Sequence, residues 1–268
     1  MKPNLLSTTL ISGVMLLGTF GFTACAKVAL TAKNTITASD RIITKSFDID
    51  NFKSVTAPSI VDVVYTQNAG PSIAKIEAPD NIMQYVSAEV NGSNLIVTLK
   101  DAPNINTNNK SIKCYVNSPE LSEVTLSGTG DFNCTTLNTD RMFLNVSGTG
   151  DIEIDRLECT TLTATVGGTG DIEIDNLQAT SVAASIGGTG DIELKGRVTN
   201  ADFNVGGTGD IKAQKLIADN VNAHAGGTGD IECYANKSIN ASASMTASVT
   251  YWGSPSSVQA DKNVKSHK

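Results

Sequence analysis

The sequence predicts an all-β chain, wound as a right-handed parallel β-helix (solenoid) of about 20-residue coils with a β-rich cap at its amino-terminal end. Three observations carry this. The phrase Gly-Thr-Gly-Asp recurs six times, starting at Gly128, Gly148, Gly168, Gly188, Gly207 and Gly227, at spacings of 20, 20, 20, 19 and 20 residues. A fixed period of this length marks units that cannot bury an apolar face alone and must stack to share a core. After each phrase, apolar and polar residues alternate. Phe132, Ile152, Ile172, Ile192, Ile211 and Ile231 form one column, preceded by Ile112, and Cys114, Cys134, Ile154, Ile174, Leu194, Ala213 and Cys233 form the next. Glu153, Glu173, Glu193 and Glu232 stand between them, as in a strand with one buried face. Composition agrees: 23 glycines and only 5% aromatic residues, with β-branched residues supplying much of the apolar content, favour strands and turns over helices.

Residues 1–24 read as a secretory signal, with Lys2 followed by an apolar run from Leu5 to Gly21 that is too short for a stable membrane span. Phe22-Thr23-Ala24-Cys25 resembles the lipobox of bacterial lipoproteins, which makes Cys25 the acylated first residue of the mature chain and its lipid a membrane anchor. The alternative is a secreted protein with a spare cysteine. Residues 25–40 are small and polar, as a tether would be. Residues 41–110 hold short β-like runs and form the cap and first coils. Within them, Asp80 is placed to cap a helical turn from Asn81 to about Val86, and Asn91-Gly92 between alternating apolar runs predicts a hairpin. Residues 101–110 read as a polar loop, residues 111–245 are the β-helix repeats, and residues 246–268 are a carboxy-terminal cap and tail.

Within each coil a third apolar point follows at Leu137, Leu157, Leu177 and Leu216, and a second strand closes the turn with Leu162, Ala164 and Val166 inward. Parallel crossovers prefer the right hand. The corner phrase has a structural reading in all four residues. Glycine permits positive φ and close backbone approach, threonine stacks into a ladder, and aspartate bonds to nearby backbone N–H groups. Asp131, Asp151, Asp171, Asp191, Asp210 and Asp230 then form a candidate charged stripe. At a coil spacing of about 4.8 Å, neighbours repel by roughly 1 kcal/mol in water, so backbone N–H groups or Ca²⁺ must offset the repulsion. A nine-residue Gly-Gly-x-Gly-x-Asp repeat is the usual calcium pattern, and the longer period here favours backbone capping. Cys114 and Cys134 fall in one column of adjacent coils and are a candidate disulfide, or else two small apolar core residues.

A net charge of −7 without a basic cluster excludes an electrostatic nucleic-acid footprint. His224 and His267 lie far apart, which leaves no histidine metal cluster and argues against a Ser-His-Asp triad. Trp252, the single tryptophan, reads either as a hydrophobic lid or as an exposed aromatic platform.

Four stretches carry a family resemblance: Ser147 to Ile152; Tyr115-Val116-Asn117-Ser118-Pro119-Glu120-Leu121; Asn91-Gly92-Ser93-Asn94-Leu95; and Tyr251-Trp252-Gly253-Ser254-Pro255. Over residues 44–260 the chain resembles the putative auto-transporter adhesin, head GIN domain family of bacterial exported proteins. The resemblance implies a β-helical domain on a lipoprotein or other envelope protein and brings no catalytic or cofactor-binding residues. The expected function is a membrane-anchored, non-catalytic envelope protein, sited at the outer membrane, whose outward Thr, Asn and Glu faces bind a glycan or a surface protein. The alternatives are a polysaccharide-acting β-helix enzyme, against which the loop-free coils and scattered Arg156, Arg197 and Lys212 argue, and a calcium-stabilised spacer.

Overall fold

The computed structural model describes residues 35–267, so the signal segment, Cys25 and most of the tether lie outside the described residues. The first part contributes β1 (Thr35–Thr37), β2 (Ile42–Asp48), β3 (Ser54–Ala57), β4 (Asp62–Gln67), β5 (Ile73–Pro79), β6 (Val86–Asn91), β7 (Asn94–Leu99), β8 (Asn104–Asn106) and β9 (Lys113–Ser118). The repeats contribute β10 (Glu123–Leu126), β11 (Phe132–Asn138), β12 (Arg141–Val146), β13 (Ile152–Val166), β14 (Ile172–Ile186), β15 (Ile192–Val205), β16 (Ile211–Ala225) and β17 (Ile231–Ala243). The chain ends with β18 (Val249–Trp252), β19 (Ser257–Ala260) and β20 (Val264–Ser266). Together these build a parallel β-solenoid of about seven turns of roughly 20-residue coils.

From β13 to β17 the strands run through both faces of a coil, so only the Gly-Thr-Gly-Asp corner separates one from the next. Equivalent residues stack: Ile152 on Ile172, Ile154 on Ile174, Leu157 on Leu177, Leu162 on Val182 and Val166 on Ile186. Phe132, Ile152, Ile172, Ile192, Ile211 and Ile231 are completely buried. Alternation thus places one apolar column after another in a single core, whose burial drives the fold at roughly 25 cal/mol per Å² of apolar surface.

The corner glycines are required by proximity. None has a positive φ; among the described glycines only Gly92, Gly196 and Gly253 do. A Cβ on Gly148 would lie 2.0 Å from the Gly128 carbonyl oxygen, and one on Gly150 would lie 2.0 Å from that of Gly130. The same approach lets the Thr149 and Thr169 N–H groups donate at 2.9 Å to the carbonyls of Gly128 and Gly148 one coil below. The single 19-residue coil is resolved at Gly196. The register of β14 on β15 passes from Ile174–Leu194 to Leu177–Gly196, dropping one residue. Gly196 takes φ +129 there, and a Cβ on it would lie 2.2 Å from the Leu177 carbonyl oxygen.

Spatial order departs from chain order at the amino-terminal end. β4 lies between β9 and β11, and β3 lies between β7 and β10, all parallel. Residues 73–118 therefore fold back beneath the first coil rather than continuing upward from it. This overturns the Cys114–Cys134 disulfide. Cys114 stacks on Val63, which stacks on Phe132, whereas Cys134 stacks on Tyr65. The two cysteines occupy different columns two levels apart, or about 9–10 Å, beyond the reach of a disulfide. Both are free and buried.

Antiparallel strands finish this end: β5 on β9, β2 on β5 and β6 on β7. The β6–β7 hairpin turns at Gly92, φ +65, as the sequence predicts. Residues 35–37, expected in the tether, instead form β1, and residues 104–106 of the expected loop form its parallel partner β8. The helical turn shrinks to a 3-10 segment at Met83–Tyr85 with no side-chain cap. Asp80 is occupied elsewhere, accepting a hydrogen bond from the Ser39 hydroxyl. At the other end β18 and β19 stack on β17, and β20 stacks on β18.

Two glycines of the repeat separate space from habit. Gly168→Ala forces a methyl onto the Gly148 carbonyl oxygen, at 2.0 Å, and should cost about 2–3 kcal/mol or more in chemical denaturation. Gly187 has no atom within 4 Å of a built Cβ, so Gly187→Ala should be neutral or stabilising by about 0.5 kcal/mol.

Candidate functional site

The six stripe aspartates do come together, as a ladder. The backbone N–H of Asp151 donates to Oδ1 of Asp131 at 3.0 Å, and that of Asp171 to Asp151 at 2.8 Å. Asp191, Asp210 and Asp230 each donate to the aspartate below at 2.7 Å, and Ser248 closes the upper end on Asp230 at 2.7 Å. Asp62, which sequence reasoning missed, extends the ladder downward by accepting from the Asp131 N–H at 3.3 Å. One oxygen of every carboxylate is therefore engaged by backbone. Among the described residues no group of three or more His, Cys, Asp or Glu is placed to hold a metal ion.

Beside this ladder the outward positions of the same face are also acidic. Glu153 stacks on Glu173, and Glu173 on Glu193. Lys195 gathers Asp175 at 2.7 Å, Glu173 at 2.8 Å and Glu193 at 3.0 Å, which holds its ammonium pKa well up and the Asp175 carboxyl down. Lys212 pairs with Asp191. Glu153 has no such partner; partial burial raises its carboxyl pKa, and Asp131, Glu173, Asp151 and Asp155 raise it further.

The second face is different in kind. Its outward columns read Thr161, Ser181, Asn200, Asn220, Ser238, Ser257 and Thr163, Ala183, Asp202, Asn222, Asn240, Gln259 along the stack. Over them runs an open groove of about 470 Å³ whose lining holds one charged side chain, Asp202, and no lysine or arginine. Asn220 Nδ2 donates to Asn200 Oδ1 at 3.0 Å, and Asn240 Nδ2 to Asn222 Oδ1 at 3.4 Å. A second hollow of about 220 Å³ shares Asp202, Asn222 and Asn240 and adds His224, whose Nδ1 lies 2.8 Å from Ser242 Oγ.

Trp252 and the four described cysteines are placed by their packing. Trp252 stacks on His267 with ring centroids 4.8 Å apart and planes inclined by 21°, so the imidazole covers one face of the expected platform. Burial pushes the Cys114 and Cys233 thiols up to about 12 and those of Cys134 and Cys159 up to about 11, which keeps them protonated and unreactive at neutral pH.

The family model described as putative auto-transporter adhesin, head GIN domain matches residues 51–175 and again 160–255. The chain belongs to that family. No curated protein matches it. Among solved structures, the GIN-domain chain is similar to a Parabacteroides distasonis protein described as a putative lipid binding protein. That likeness has 25% identity and a TM-score of 0.78, over 88% of this chain and 100% of the other. A putative adhesin from Bacteroides fragilis is 26% identical with a TM-score of 0.64, over 87% and 100%. One from Parabacteroides merdae, at 22% identity and a TM-score of 0.79 over 87% and 99%, shares the fold.

The GIN-domain repeat thus yields two unlike faces from one corner. The groove was missed because its signal is a departure at outward positions, Thr163 to Asp202 to Asn222, which emerges only after the coils are aligned. On the acidic face, a raised folded-state pKa means that the charged Glu153 opposes folding. Stability is greatest below the ordinary glutamate pKa and is lost as pH rises through the raised one. Glu153→Gln should therefore raise the melting temperature at neutral pH, by an amount worth less than about 1 kcal/mol. The gain should vanish in melts below the ordinary glutamate range and shrink in high salt.

Proposed function

We propose that the chain is an exported, lipid-anchored protein of the cell envelope whose solenoid is a non-catalytic binding surface for a glycan or a surface protein. The observation that carries this is the regularity of the coils. Identical corners follow one another without inserted loops from Ser127 to Asp230, so variation is confined to outward side chains on two flat faces. Enzymes concentrate chemistry where a scaffold is interrupted, whereas a repeated face offers many weak, equivalent contacts that add up. Membership of an adhesin family supports the same reading.

A lipid ligand is a second reading, favoured by one feature. Between β2 and β6 at the amino-terminal end lies an open groove of about 450 Å³ whose lining includes Phe47, Ile49, Tyr85, Val86 and Ala88. Phe47 is 46% exposed there. The Parabacteroides distasonis relative described as a putative lipid binding protein supports it further.

A screen of the purified protein against arrayed glycans and envelope proteins should find reversible binding without release of product. Depolymerisation of a uronic-acid polymer, with no ligand retained, would replace binding by catalysis. Anchoring is tested separately with radiolabelled palmitate in a bacterial host. Label should enter the native chain and be absent from Cys25→Ser, which should move from the membrane to the soluble fraction. Equal fractionation of both would remove the anchor from the proposal.

A further inference from the structure

We infer that the groove on the second face, over β14 to β17, is a binding site for a neutral polysaccharide strand lying along the solenoid axis. The inference rests on the binding reading above and names its ligand class.

The first argument is a conflict between sequence and local structure. Asn200, Asp202, Asn204, Asn220, Asn222 and Asn240 all occupy outward strand positions in three consecutive coils. Asn and Asp are poor strand formers, and the same columns carry Thr161, Thr163 and Thr165 in β13 and Ser181, Ala183 and Ser185 in β14. The scaffold accepts better residues at these positions, so their replacement points to a use other than folding. Ladder bonds recover part of the cost at Asn200–Asn220 and Asn222–Asn240. Ser238 Oγ also donates to Asn220 Oδ1 at 2.8 Å, and each carboxamide, with two donor hydrogens and two acceptor lone pairs, retains capacity beyond these bonds.

The second argument is independent of composition. The open groove of about 470 Å³ lies over these same coils, bounded by Thr161 at one end and Gln259 at the other. It crosses six levels, so a chain laid along it meets a new row of carboxamides and hydroxyls at each rise of about 4.8 Å. A polymer of sugars presents paired hydroxyl donors and acceptors at a comparable repeat, and carboxamides answer both. Charge selects among such polymers. With Asp202 as the one formal charge and no cation in the lining, an anionic chain gains no partner and meets a carboxylate. With no aromatic ring in the lining, affinity accrues from hydrogen bonds repeated along the strand rather than from stacking.

The test uses the full-length chain and four substitutions that copy β14 into β15 and β16: Asn200→Ser, Asn220→Ser, Asp202→Ala and Asn222→Ala. Each new residue already stands in the same column at Ser181 or Ala183, so the fold is retained. Calorimetric titration with neutral hexose and N-acetylhexosamine hexasaccharides should show binding to the native chain, weakened roughly tenfold or more in the quadruple variant. A uronate hexasaccharide should bind neither, and the melting temperature of the variant should be unchanged or higher. Equal affinity of both proteins, a preference for the uronate, or a lowered melting temperature with binding intact would overturn the site. If the native chain binds no hexasaccharide but retains another envelope ligand in the array screen, the glycan assignment fails and the binding reading stands. If it retains nothing, both fail.

Discussion

The repeats are registered by one bond repeated from Asp62 to Asp230, in which an aspartate side chain accepts the backbone N–H of the aspartate above it. It solves two problems at once. A corner in which glycine backbones approach closely has N–H groups that must be satisfied without bulk, and a column of like charges about 4.8 Å apart needs compensation. A charge-assisted acceptor at 2.7–3.0 Å answers both, because the partial positive charge of each N–H lies against each carboxylate. The two glycines of the phrase are the steric counterpart. With Cβ positions 2.0 Å from the carbonyl oxygens beneath at Gly148, Gly168 and Gly188, any side chain there would lift one coil off the next and break the bond.

The winding was legible in the sequence because it rests on residues that only such a corner requires. The inward columns followed from period-two alternation alone, and Ile152, Ile172 and Ile192 are buried as that pattern demands. The lowest coil was not legible, for a reason that lies in the direction of the close approach. A Cβ on Gly128 would lie 2.1 Å from the Ser59 carbonyl oxygen beneath it, whereas the position beneath is itself a serine. Pro58-Ser59-Ile60-Val61-Asp62 therefore forms a corner with no glycine in it, and only Asp62 keeps the mark of the repeat. Counting back from glycines placed Cys114 directly beneath Cys134, when β4 lies between their strands.

The inserted coil also explains how the amino-terminal end is finished. A parallel stack leaves an open edge that invites another strand. Here residues 73–118 return beneath the first coil and add antiparallel strands β5 and β6, after which β2 is the outermost strand of its sheet. β2 carries Lys45 and is exposed along most of its length, which discourages further addition. The end is closed by reversing strand direction, at the cost of a groove between β2 and β6 where the two sheets part.

Because the corners alone fix the winding, the outward positions of both faces are free to diverge, and they have done so in charge. The first face keeps carboxylates in adjacent columns, with Lys195 and Lys212 as local compensation. The second face, over β14 to β17, holds a single carboxylate in its groove. At physiological ionic strength a charge is felt over about 8 Å, so each face presents its own field rather than the average of the molecule. A polyanion, including an anionic envelope surface, is repelled within that distance by the carboxylate face. A neutral hydroxyl-rich chain meets no such barrier at either face, and the second offers it carboxamide and hydroxyl groups that both donate and accept, where carboxylates only accept. The scaffold permits the carboxylates to be withdrawn from the second face because none of the groove residues takes part in the aspartate ladder, and under the binding function proposed above that withdrawal is what would select between partners.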